Sequence, residues 1–168
     1  MVSSPSSGVA QAKTQVKLSA GQDLSISGSV QSEGSSQITS DENVHISGSL
    51  TSLDTLVLQS QELETTASAN VASSQALTIS AAQKALLAGT VSSQSTATVT
   101  APEVTITGNF TSQKALSINA SQTLSLQQGA NIATADNLTL QTGDLNLTQA
   151  QVSVGENLII NADAVTIT

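Results

Sequence analysis

The sequence predicts an all-β fold: a parallel β-solenoid of about 20 residues per coil, wound into seven to eight coils. Three observations lead there. The stretches LSISGSV (24–30) and VHISGSL (44–50) are near copies in the same register. Pairs of apolar residues separated by one polar residue recur along the chain, and alternation at period two marks strand rather than helix. The composition is 38% hydrophobic but only 1% aromatic, which fits a thin core of aliphatic side chains rather than a globular centre filled by rings.

Each unit opens on a first apolar pair. These are Val16/Leu18, Ser36/Ile38, Leu56/Leu58, Leu77/Ile79, Ala97/Val99, Leu116/Ile118, Leu138/Leu140 and Leu158/Ile160, with steps of 20, 20, 21, 20, 19, 22 and 20 between their starts. Two residues on stands a small residue, from Ala20 and Ser40 through Ala120 to Ala162. A second pair follows: Leu24/Ile26, Val44/Ile46, Leu63/Thr65, Ala85/Leu87, Val104/Ile106, Leu124/Leu126, Leu145/Leu147 and Val165/Ile167. Two residues beyond that pair, counting gives Gly28, Gly48, Ala67, Gly89 and Gly108, then Gln128 and Gln149. A lone apolar position closes the unit: Val30, Leu50, Val71, Val91, Phe110, Ile132 and Val152.

The pairs read as short strands, two or three per unit, and the small residues as bends where a bulky side chain would clash inside a corner. Ser/Thr-rich strings carrying β-branched residues disfavour helix. Tight hairpins are excluded by the constant order of the pattern and the scarcity of Asn-Gly or Asp-Gly turns. A coil satisfies both constraints: each strand lies parallel to its equivalent in the next unit, like residues stack about 4.8 Å apart, and the rod is roughly 35 Å long. One coil cannot meet its ordering entropy alone, so stability rests on ladders between neighbours.

Residues 1–13 (MVSSPSSGVAQAK) lack the apolar core of a secretion signal and read as a flexible leader or vector-derived start. Residues 14–168 form a single solenoid segment. The final AVTIT stops in mid-strand, which predicts that the segment belongs to a longer array. Four Lys and no Arg stand against twelve acidic residues, a net charge of −8. That balance argues against nucleic-acid partners and anionic membrane surfaces. No apolar run approaches the roughly 18 residues of a membrane span, so no membrane insertion is expected. The absence of cysteine removes disulfide frameworks and thiolate metal sites.

Candidate chemistry is sparse. His45, the only histidine, falls between inward Val44 and Ile46 and reads as a solvated outward residue. Asp23, Glu62, Glu103 and Asp144 precede the second pair in alternate units, with Asn43, Lys84, Thr123 and Ala164 between them. This reads as a spaced, solubilising acidic edge. Carboxylates two coils apart, at roughly 9–10 Å, are too far for one calcium ion, whose ligands lie at about 2.3–2.6 Å. Threonines in TATVT and VTIT do not form a regular outward face. Val57, Leu86 and Ile159 fall at outward positions and Phe110 at an inward one. The sequence therefore assigns no catalytic, cofactor-binding or metal-ligating residue, and no cofactor.

The unit LxIxAxxxLxLxGxVxS, as in LTISAAQKALLAGTVSS (77–93) and LSINASQTLSLQQGANIAT (116–134), resembles the repeats of filamentous haemagglutinin-type exoproteins, both adhesins and contact-dependent growth inhibition toxins. The resemblance covers about residues 14–168. It implies a right-handed parallel β-helix, secreted by a two-partner system through an outer-membrane transporter to the bacterial cell surface. There it would be a stiff, non-enzymatic shaft that supports adhesion or delivers distal domains. Its partner would be a host-cell or neighbouring-bacterium surface, reached through the parent exoprotein. End-to-end stacking of the chain is a further expectation from open sheet edges. A glycan-binding or glycan-cleaving β-helix is the alternative; clustered outward carboxylates in one groove would favour it. A designed scaffold is disfavoured by the irregular steps.

Overall fold

The computed structural model describes residues 2–4 and 8–168, and among them there are strands, turns and bends but no helix. The strands form two sheets wound around one core, one of eleven strands and one of eight. Every pairing is parallel and joins a strand to its equivalent one coil away, so the chain is a parallel β-solenoid of about eight coils.

The register follows the columns expected from the sequence. Leu24 and Ile26 lie against Val44 and Ile46. The first pairs stack from Val16/Leu18 to Leu158/Ile160. The lone apolar residues stack Val30, Leu50, Val71, Val91, Phe110, Ile132 and Val152. Phe110 is fully buried between Val91 and Ile132. One continuous apolar cluster runs from Val16 to Leu145.

The first two strands of each coil change character along the rod. Early coils hold two separate strands, Val16–Ala20 with Leu24–Ile26 and Ser36–Ser40 with Asn43–Ile46. From Leu56–Thr65 onward they merge into one strand of 10 or 11 residues, kinked where the register shifts, for example between Ala81 and Lys84. The inner residue at the kink is small throughout, and Ser40, Ser60, Ala81, Ala101, Ala120 and Thr142 are all buried there. A longer side chain at that corner would meet the opposite wall of a narrow core.

Two readings of the sequence are corrected. The strands Val2–Ser4 and Val9–Ala12 already pair with Leu24–Ile26 and Ser29–Ser32, so the winding starts before residue 14. Val9–Ala12 belongs to the ladder because its backbone matches Ser29–Ser32 residue for residue. The rest of the leader reading, at Met1 and residues 5–7, lies outside the described residues.

The second correction concerns the small residue before the short strand. Its column is Gly28, Gly48, Ala69, Gly89, Gly108 and Ala130, identified by the carbonyl that each gives to the amide one coil on, as in Ser49 to Gly28, Thr90 to Ala69 and Gln151 to Ala130, and Ala150 precedes the last short strand in the same way. Ala67, Gln128 and Gln149 are instead inserted turn residues. The insertions close on themselves through Ala69 N–H to Thr66 O at 3.0 Å and Ala130 N–H to Gln127 O at 2.9 Å. Gly129 supplies the positive φ of 94° in the second of these turns. Where the turn is short, glycine is required by crowding: a Cβ on Gly48 would run into the carbonyls of Ser27 and Gly28 in the coil before.

A further inward column is polar. Ser32, Ser52, Ser73, Ser93, Ser112 and Thr134 are buried two residues after the lone apolar position. Their hydroxyls staple the corner. Ser93 Oγ lies 3.0 Å from Thr96 O in its own coil and 2.8 Å from Gln75 O in the preceding one. Ser52 and Ser112 repeat the arrangement with Thr55 and Gly34, and with Ala115 and Ser95. Serine serves here because the corner turns carbonyls inward, and a buried carbonyl needs a donor.

Candidate functional site

Functional groups on a solenoid must come from outward positions, because the inward ones are committed to the core. Outward side chains at equivalent positions lie one above another about 4.8 Å apart. Each column is therefore a row of near neighbours drawn from residues some 20 apart in sequence.

His45 stands outward, as expected, and its Nδ1 lies 3.5 Å from Glu64 Oε2 in the next coil, with about half of each side chain exposed. Ser25 occupies the same column on the other side. The pair resembles a surface ion pair, worth little in water.

The acidic edge also forms as the register requires. Glu62 and Glu103 flank Lys84, and Thr123 separates Glu103 from Asp144. Asp23 Oδ1 accepts from Asn43 Nδ2 at 2.9 Å and from Asn43 N–H at 3.3 Å. No two carboxylates are adjacent in this column. At about 4 Å in water two like charges would repel by about 1 kcal/mol, and the intervening Asn, Lys and Thr remove that term. Among the described residues, no group of three or more His, Asp or Glu comes close enough to hold a metal ion.

Shallow open depressions follow the corner between the first and second strands. Ser19, Thr39 and Gln59 line one of them, and Asn119, Gln141 and Asn161 another. Amide ladders recur elsewhere, with Asn157 Nδ2 donating to Asn137 Oδ1 at 2.9 Å and Gln11 Nε2 to Gln31 Oε1 at 2.9 Å. These contacts hold neighbouring coils together and leave further hydrogen-bonding groups exposed along the column.

Of the apolar residues placed outward, Val57 and Leu86 are half-buried among their column neighbours, whereas Ile159 is exposed. The inward residues of the last coil are also uncovered: Leu158 is 48% and Ile167 73% exposed, because they have a coil on one side only. The buried serine column was not anticipated; the recurrence of Ser at positions 32, 52, 73, 93 and 112 was its signal. No protein-family model, curated protein or solved structure matches this chain.

Proposed function

We propose that the chain is a structural repeat segment, forming part of the stiff extracellular shaft of a large secreted bacterial exoprotein that supports adhesion or delivery of distal domains. The observation that carries this reading is the unbroken ladder. The eight-stranded sheet keeps residue-for-residue register from Val9–Ala12 to Gln151–Val154. Stiffness follows from the same feature, since each coil is bonded to its neighbours along the rod axis by backbone hydrogen bonds and by a close-packed core. The sequence resemblance to filamentous exoprotein repeats supplies the extracellular setting.

Single-molecule pulling tests the mechanical role. A shaft releases its length in steps of one or a few coils. A 20-residue coil extends to roughly 70 Å at 3.3–3.6 Å per residue, less the rise of about 4.8 Å it occupied. High, repeated force peaks at that increment support the shaft. Unravelling at forces typical of thermal fluctuation would sink it, as would release of reducing sugars when the chain is incubated with polysaccharides.

A further inference from the structure

All sixteen charged residues of the chain lie on the eleven-stranded sheet, at the kink between its first and second strands, or at the corner that leads from the eight-stranded sheet back into it. None lies on the eight-stranded sheet, nor in the turns that lead into it at 27–28, 47–48, 66–69, 88–89, 107–108, 127–130 and 148–150. With two outward positions on each of eight strands, this face displays Ser, Thr, Asn, Gln and Ala together with Val9. A chain of net charge −8 thus keeps one entire side uncharged. Interface cores are depleted in charge in the same way.

From this segregation we infer that the charge-free face pairs with the same face of a second copy, the two rods lying antiparallel. Like-charged rods approach at least electrostatic cost where the facing surfaces carry no charge, and this side meets that condition. Apart from Gln11, Gln31 and Gln151 its strand side chains are short, so they lose little rotamer freedom on contact. Eight strands at about 4.8 Å, and four strand residues plus the turn at about 3.3 Å each, project an area of roughly 34 by 20 Å. Two such faces bury roughly 1,400 Å², above the ~1,000 Å² that a specific interface needs. The absence of an exposed aromatic disfavours a sugar ligand on this face, since the one Phe is in the core.

The charged corner along one edge of the face sets the direction. Along the rod it carries Lys13, Glu33, Asp54, Lys114, Asp136 and Glu156. A two-fold axis across the rods brings this edge against itself in reverse order, opposing Lys13 to Glu156 and Asp54 to Lys114, each twice by symmetry. Glu33 against Asp136, also twice by symmetry, is the one kind of like-charge opposition. A parallel pair would forgo both attractive oppositions. The pairing is independent of the shaft role, because a rod that stays monomeric can still bear load.

Sedimentation equilibrium from micromolar to millimolar chain is the test. The parent chain is expected to dimerise. Ser92→Glu with Thr111→Glu, stacked on the face, should raise the dissociation constant by about tenfold or more through like-charge opposition. Thr98→Glu with Thr100→Glu on the other sheet adds the same charge and should leave it within about twofold. Asn70→Glu with Asn109→Glu repeats the test at exposed positions should the first pair impair folding. Lys114→Glu should weaken the dimer by a smaller factor. A parent monomeric throughout, whether or not it binds a neutral polysaccharide, overturns the inference. So does a dimer that survives both face variants, that is lost equally in the control, or that is abolished by Ile160→Glu at the rod's end instead.

Discussion

Ser93→Ala and Ser60→Ala are the same chemical change at two buried corners, and the structure gives them opposite consequences. Ser93 Oγ lies 2.8 Å from Gln75 O and 3.0 Å from Thr96 O, and it accepts Ser95 N–H at 3.2 Å. One proton is shared between the two carbonyls, so the hydroxyl makes about one donated and one accepted bond. At ~0.5–1.5 kcal/mol net for each, Ser93→Ala should cost about 1–3 kcal/mol. Ser60 Oγ is equally buried but has no hydrogen-bond partner. Its hydroxyl was removed from water without return, so Ser60→Ala should be neutral or stabilising by up to about 1 kcal/mol. Urea unfolding followed by far-UV circular dichroism measures both. With an m-value of about 1–3 kcal/mol/M, the two midpoints should separate by several tenths molar or more. Amide exchange adds a local readout, since Ser95 N–H loses its acceptor only in Ser93→Ala. Equal destabilisation by both changes would refute the reasoning, because hydroxyl partnering would then not set the corner's stability.

Three further outcomes are expected. Ile106→Asp places a carboxylate between Leu87 and Leu126 in a fully buried column, and denaturant titration should show a loss of several kcal/mol, about 4 or more. Gly129→Ala forces a side chain into a backbone with φ 94° and sets its Cβ 3.3 Å from Thr107 O, so thermal melting should report a loss of about 1–2 kcal/mol. Glu64→Gln removes the carboxylate charge beside His45 at a half-exposed site; equilibrium unfolding should change by less than about 0.5 kcal/mol.

Much of this molecule was legible because a solenoid repeats one local rule. Alternation decides which side chains face inward, and the ladder fixes the step, so Val30, Leu50, Phe110 and their equivalents could be stacked correctly by counting. Counting failed where the turn length changes. Ala67 and Gln128 occupied the expected positions, but the closing bonds Ala69 to Thr66 and Ala130 to Gln127 absorb two residues each and return Ala69 and Ala130 to the glycine column. The buried serines escaped because Ser reads as a surface residue, and only the corner's inward carbonyls make it an interior one.

The sequence by itself determined the period, the strands and the two sides of each strand, since these depend on spacing along the chain. Which surfaces assemble around the rod was decided by the tertiary structure alone. The alternation of Glu62, Lys84 and Glu103 along one edge already followed from counting, but the 3.5 Å contact of His45 with Glu64 exists only because winding brings residues about 20 apart to neighbouring heights. The charge-free side emerges in the same way. Short uncharged stretches scattered through the chain become one continuous face when the coil stacks them in register.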